Sequence, residues 1–199
     1  MSEEVWYAAY GSNLLRARFL TYLHGGRPQG AVREMTGARD RREPREDRPI
    51  TLPGRLVFGW ESLTWGGGIA FYDPDRPGPT LARAYRITVE QFSDLAAQEM
   101  HRPPGGRIDL APLVRDGRLE LGPGRYEMVH LVSTLEDLPV LTISAARWSD
   151  IPPNPPGAIY RETMARGLAE SHGLSAAQAA AYLERQISGP APRAARPPS

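Results

Sequence analysis

At 199 residues and 41% hydrophobic content, the chain is long enough for one domain and apolar enough to bury a core. Its 24 basic and 23 acidic residues leave a net charge of +1, a balance that recommends neither nucleic acid nor an anionic membrane as partner and fits a protein of neutral small molecules. The basic residues are all arginine and cysteine is absent, which excludes Schiff-base chemistry, pyridoxal phosphate anchoring, the Walker phosphate loop, disulfides, thiolate zinc sites and a cysteine nucleophile.

The first predicted element is a strand over Val5 to Tyr10, β-branched and aromatic, that stops abruptly in Gly11-Ser12-Asn13. Gly11 is expected to take a positive φ. Ser12 or Asn13 is expected to cap a helix begun by Leu14-Leu15-Arg16-Ala17-Arg18-Phe19-Leu20. A turn of this kind aims several backbone N–H groups at one spot, where a carboxylate or an oxyanion can sit. Taken alone it is also an ordinary strand-to-helix connection that binds nothing.

From Arg39 to Arg48 nine of ten residues are charged, five positive and four negative, a mixture that reads as a solvated surface loop. Short strands follow at Arg55–Trp60, Gly68–Asp73 and Ala82–Ile87, with Gly66-Gly67-Gly68 as a hairpin turn. Thr88-Val89-Glu90-Gln91 has the form of a capping box and opens a helix over Val89 to Met100, with Val89, Phe92, Leu95, Ala96 and Glu99 on one stripe. Two further strands are predicted at Tyr126–Thr134 and Val140–Ala145. A helix carrying Tyr160, Met164, Gly167 and Leu168 on one face is then stopped by Gly173, and a second capping box at Ser175–Gln178 starts another helix through Tyr182, Leu183 and Ile187. The domain is therefore placed at residues 1–187, with a disordered Pro/Arg/Ala tail at 188–199. Consecutive short strands mixed with a few helices predict an α+β fold around a mixed sheet or small β-barrel with flanking helices. With no run of eighteen apolar residues and no leader pattern, the reading is of a cytoplasmic protein without a membrane span.

Glu99 lies on the apolar side of its helix. A carboxylate there is costly unless it is paired or used, and desolvation raises its pKa towards that of a group able to accept and return a proton. The competing reading is a glutamate at a frayed helix end in water. His24, His101, His130 and His172 are scattered with no pair at ligand spacing, so no metal or cofactor site is assigned, and Ser12 lacks the flanking pattern of a nucleophile elbow.

Four blocks in order, Tyr10-Gly11-Ser12-Asn13-Leu14, Thr64-Trp65-Gly66-Gly67-Gly68-Ile69-Ala70, Leu95-Ala96-Ala97-Gln98-Glu99 and Pro155 to Tyr160 with Gly167, Gly173-Leu174 and Tyr182, resemble the gamma-glutamylcyclotransferase family. The resemblance runs from Val5 to about Ile187, with an expanded segment over residues 25–53. It implies a small mixed β-barrel and a cofactor-free reaction, in which the α-amine of a γ-glutamyl amide attacks its own side-chain carbonyl to give 5-oxoproline and a free amine. It further implies that Glu99 is the general acid and base, that the turn from Tyr10 through Gly11, Ser12, Asn13, Leu14 and Leu15 binds substrate, and that Tyr160 closes the pocket on the glutamyl moiety. The chain departs from the family after Glu99, where Met100-His101-Arg102 replaces the usual glycine. Two alternatives stay open: a binding module on the same fold, and hydrolysis of a small amide in the same pocket.

Overall fold

The strand read at the start of the chain is the centre of the sheet. In the computed structural model, which describes residues 3–27, 34–147 and 150–189, β1 (Glu4–Ala9) lies between β5 (Pro79–Thr88), antiparallel, and β8 (Leu138–Ser144), parallel. β2 (Glu46–Pro53) extends the sheet beyond β5, and β7 (Met128–Leu135) and β6 (Arg118–Glu120) extend it beyond β8. The order is β2-β5-β1-β8-β7-β6, while β3 (Arg55–Ser62) and β4 (Gly67–Asp73) pair separately as an antiparallel ribbon. The architecture is α+β as expected. The expected barrel is not closed, because the six-stranded sheet keeps β2 and β6 as free edges and the ribbon packs against it without joining it.

Being central, β1 is covered on both faces, and the two-residue period of a strand sorts its side chains between two cores. Val5, Tyr7 and Ala9 pack against Phe19, Tyr22 and Leu23 of α1 (Arg16–His24), Phe92, Leu95 and Ala96 of α2 (Val89–Glu99), and Leu110 and Leu113 of α3 (Leu110–Asp116). Trp6, Ala8 and Tyr10 meet Leu56 and Phe58 of β3, Ala70 and Tyr72 of β4, and Met164 and Leu168 of α4 (Ala158–His172). Tyr182 and Leu183 of α5 (Ala176–Ile187) close that second core. Burying side chains of this size stabilises the fold by roughly 1.5–3 kcal/mol each relative to leaving them in water.

Both capping boxes form. Thr88 Oγ1 accepts from the Gln91 amide at 3.1 Å while Gln91 Oε1 accepts from the Thr88 amide at 3.0 Å, and Ser175 and Gln178 repeat the pattern at the start of α5. Gly173 ends α4 in the left-handed region at φ 66°.

The charged segment is exposed loop, as expected, only as far as Arg45. Its second half is the edge strand β2, which tolerates Pro49 and Pro53 because an edge leaves one side of the ladder unpaired. Most of its charges are partnered: Arg39 meets buried Asp94 at 3.0 Å, Asp47 meets Arg83 at 2.6 Å, and Glu43 meets Arg16 at 2.6 Å. α3 also escaped the sequence reading. It begins at the Asp109 cap, whose carboxylate accepts from the Ala111 amide at 2.9 Å, and carries Pro112 in its first turn, where an amide has no partner within the helix. Among the described residues no helix is long and apolar enough to cross a membrane. The predicted tail lies, from residue 190 onward, outside the described residues.

Candidate active site

At the carboxyl end of β1 the chain leaves the sheet through Tyr10 and Gly11 and makes a 3₁₀ turn over Ser12–Leu14 before α1 begins. Gly11 does not take the expected positive φ; it sits at −103°. Space selects glycine there, because an added Cβ would lie 2.8 Å from the Tyr160 hydroxyl oxygen. Neither Ser12 nor Asn13 caps α1, whose N-cap is Leu15 with no side-chain hydrogen bond. The Leu14 amide bonds Gly11 O at 3.1 Å, the Leu15 amide bonds Ser12 O at 3.2 Å, and the Ser12 amide is directed at the Tyr160 hydroxyl. Three amides of the expected row are therefore already engaged, two inside the turn and one by Tyr160.

Asn13 turns inward instead. Its Nδ2 donates to the Tyr7 hydroxyl oxygen at 3.3 Å and to Glu99 Oε1 at 3.4 Å, and its buried Oδ1 meets no hydrogen-bond partner among the described residues. The turn is held from behind by β5, where the Tyr85 hydroxyl donates to Asn13 O at 2.8 Å and Arg83 donates to Leu14 O at 3.4 Å. On the other side Gly167 of α4 lets that helix press against the turn, since a Cβ there would lie 2.5 Å from both Leu14 Cβ and the Leu15 amide nitrogen.

Glu99 is the last residue of α2 and faces the same space. Its neighbour Gln98 fastens the helix end: Nε2 donates to Tyr22 O at 2.9 Å and Oε1 accepts from the Gly37 amide at 3.1 Å. Protein surrounds the Glu99 carboxyl except where it opens on the cavity, so it is partly accessible and poorly solvated together. Burial pushes its pKa above the ordinary carboxylate range; hydrogen bonding from Tyr22, the charge of Arg18 and the Asn13 amide pull it partway back.

A cavity of about 380 Å³ joins these groups. Tyr7, Tyr10, Tyr22, Tyr126 and Tyr160 ring its inner part with Glu99 and Asn13, and Gly11, Ser12 and Arg18 complete that wall. Glu61 to Trp65 form another wall, with Trp65 5.2 Å from the Tyr160 ring. That wall is set by a bulge between Gly59 and Ser62 with Trp60 at φ 64°, a kink that re-aims the strand at the site. A turn forms before β4, but of the three glycines expected to make it only Gly66 lies in it; Gly67 and Gly68 open the strand. Gly68 is further required by a close approach, since a Cβ would overlap Asn154 O at 1.9 Å.

The sequence-predicted residues divide as follows. Glu99, Tyr10, Gly11, Ser12, Asn13 and Tyr160 all border the cavity, whereas Leu14, fully buried, and Leu15, at the start of α1, do not. Those two leucines serve the turn's packing because the 3₁₀ twist carries them away from the opening. Tyr10 presents its ring while its hydroxyl donates to Ile143 O at 2.7 Å. Tyr7, Arg18, Tyr22 and Tyr126 were missed. Arg18 and Tyr22 sit one helical turn apart on α1, with the guanidinium 4.9 Å from the Tyr22 ring centroid, and Arg18 Nη1 donates to Thr21 Oγ1 at 2.8 Å. Arg18 Nε is buried with no partner, and Arg18 makes no ion pair among the described residues. No group of three or more His, Asp or Glu side chains able to hold a metal ion gathers among the described residues.

No family model matches the chain. It is 34% identical over 210 aligned residues to histone deacetylase 5 of Arabidopsis thaliana, an alignment that takes in 94% of this chain and 31% of that protein. The chain thus spans about a third of the length of that relative. Among solved structures, it is similar to a gamma-glutamyl cyclotransferase with a TM-score of 0.54 and 19% identity, covering 94% of this chain and 88% of the other. It is similar to an uncharacterized protein from Homo sapiens with the same TM-score and identity, covering 98% and 94%. The chain has the gamma-glutamyl cyclotransferase-like fold.

Proposed function

We propose that the cavity cyclises a γ-glutamyl amide, releasing 5-oxoproline and a free amine. The observation that carries this reading is the meeting of Glu99 with the Tyr10–Asn13 turn in one tyrosine-lined cavity, sealed by the 3.4 Å contact between Asn13 and Glu99. The fold shared with a gamma-glutamyl cyclotransferase supports it.

Such a substrate carries its own nucleophile. Folding the glutamyl chain so that the α-nitrogen faces Cδ turns an intermolecular attack into an intramolecular one, with effective molarities that reach about 10⁵ M or more. Glu99 takes one proton from the α-ammonium and the freed amine attacks Cδ to form the ring N–C bond; the ring nitrogen then sheds a second proton, and as the C–N bond to the leaving amine breaks both protons end on that nitrogen, the first returned by Glu99, so the amine departs as an ammonium and the lactam nitrogen keeps the third hydrogen. No proton is consumed overall. A raised carboxyl pKa serves both transfers, since the group must gain and lose the proton at similar cost.

Arg18, whose buried Nε has no partner and which makes no ion pair among the described residues, is the group we assign to the substrate α-carboxylate, a charge-assisted contact. Tyr160, whose ring stands over Gly11 and against Trp65, walls the glutamyl chain. Incubating the purified protein with a panel of γ-glutamyl amino acids and γ-glutamyl amines, and analysing products by mass, tests the reading. Release of 5-oxoproline supports it; release of free glutamate reassigns the site to hydrolysis, and binding without turnover reassigns it to recognition.

A further inference from the structure

Five phenols border the cavity, and their hydrogen bonds can be accounted for one by one. A phenol has one proton to give and oxygen lone pairs to accept with. Tyr10 gives its proton to Ile143 O at 2.7 Å and Tyr126 gives its own to Ala70 O at 2.8 Å. Tyr22 faces the Glu99 carboxylate, which can only accept. Tyr160 accepts, from the Ala70 amide at 3.3 Å and from the Ser12 amide, and among the described residues its proton also meets no acceptor, but its oxygen is held by those two backbone amides and not by a group that touches Glu99. Tyr7 also accepts, from Asn13 Nδ2 at 3.3 Å, and among the described residues its own proton meets no acceptor. Tyr7 is 6% exposed, and its ring is fixed among Phe19, Tyr85 and Phe92 at centroid distances of 5.9, 6.5 and 6.1 Å. Its hydroxyl is thus a fixed donor whose proton is left for the cavity.

The proposed cyclisation needs such a donor. When the α-amine adds to Cδ, the carbonyl oxygen becomes an anion in a poorly solvated site, and fixed donors aimed at that oxygen supply much of the barrier lowering in acyl transfer. The turn amides of Leu14 and Leu15 are already bonded to Gly11 O and Ser12 O. On the strength of the cyclisation reading, we infer that Tyr7 is a catalytic residue, its hydroxyl donating to the oxyanion at Cδ while Asn13 Nδ2 fixes the hydroxyl oxygen and the Glu99 carboxylate at once. An accepted hydrogen bond at the Tyr7 oxygen polarises its O–H, so Asn13 strengthens the donor it orients. Burial, foremost, and the nearby Glu99 charge keep the phenol protonated far above neutral pH, so the donor is present wherever the enzyme works.

The test compares wild type and Tyr7→Phe on whichever γ-glutamyl amide of the panel the wild type turns over, with melting temperature as the check on folding. The inference predicts a fall in kcat of about 10² to 10³-fold, the usual loss on removing one oxyanion donor, with KM changed less than about threefold because the ground-state amide is already bound by its charged end. An unchanged kcat in an active, folded variant overturns the role of Tyr7 and leaves the cyclisation reading standing. A wild type silent on the whole panel overturns both. Should Tyr7→Phe fail to fold, 3-fluorotyrosine placed at position 7 keeps the shape and makes the proton more acidic; kcat then shifts if Tyr7 donates to the oxyanion, and an unmoved kcat contradicts it.

Discussion

Asn13 Nδ2 stands 3.4 Å from Glu99 Oε1, which ties the turn after β1 to the end of α2 across 86 positions of sequence. This contact stabilises the charged form of Glu99 against the burial that disfavours it. Asn13→Leu removes that donor. The proposed cyclisation requires Glu99 ionised to receive a proton, so the wild-type rate should rise with pH through a value above the ordinary glutamate pKa of about 4.3. In Asn13→Leu the same rise should come at higher pH. A pH profile of kcat/KM for the two proteins checks this, and coincident acid limbs would remove Asn13 from the account.

The raised pKa of Glu99 also acts on stability. The folded protein holds this proton more tightly than the unfolded chain does, so its contribution is full below the ordinary carboxylate range and is lost as pH rises through the raised value. Glu99→Gln has no proton to lose. It should therefore be more stable than wild type at pH 7, with the gap closing towards pH 4, as read by urea unfolding at both pH values.

His130 works in the opposite direction. Burial, aided by the Arg118 charge, holds its pKa down at about 4 against an ordinary 6.5. The folded state keeps the ring neutral while the unfolded chain takes up a proton, so stability is full above pH 6.5 and is lost as pH falls through about 4. His130→Gln should flatten that acid loss, and unchanged curvature between pH 6.5 and 4 would contradict the assignment.

Gly11 and Tyr160 are coupled by contact. Gly11→Ala places a methyl against the Tyr160 hydroxyl. We expect a stability loss of about 1–3 kcal/mol, typical of overpacking, and a drop in kcat/KM as the phenol leaves the Ala70 amide. Adding Tyr160→Phe makes room and should recover part of the stability in a double-mutant cycle; strict additivity would show that the two do not meet.

Arg18→Met keeps the stem and removes the charge. If Arg18 holds the α-carboxylate, KM should rise about 10- to 100-fold, in keeping with the roughly 1.5–3 kcal/mol of a charge-assisted hydrogen bond, with kcat little changed. Steady-state kinetics on the best panel substrate separate the two parameters.

What was legible in the sequence was local. Thr88–Gln91 and Ser175–Gln178 signal helix starts because both partners lie within four residues, and β1 announced itself because a strand covered on both faces is apolar throughout. β2 was hidden because an edge strand admits proline and charge, and its ion pairs, Asp47 with Arg16 of α1 and Arg83 of β5, reach residues far away in the chain. Gly11 was noticed for the wrong property: its need for space depends on Tyr160, 149 residues on, which no local pattern reports. For the same reason Arg18 and Tyr22 passed as ordinary residues of an amphipathic helix. Only the fold shows that their face of α1 meets the end of α2.

The most direct measurement is the rate of 5-oxoproline release by Glu99→Gln beside wild type, on a γ-glutamyl amide that the wild type turns over. Glutamine keeps the shape and the contact with Asn13 but cannot carry a proton. The account predicts a fall in kcat of about 10² to 10⁴-fold in a variant that stays folded; a rate equal to that of wild type would show that Glu99 is not the group that moves the proton.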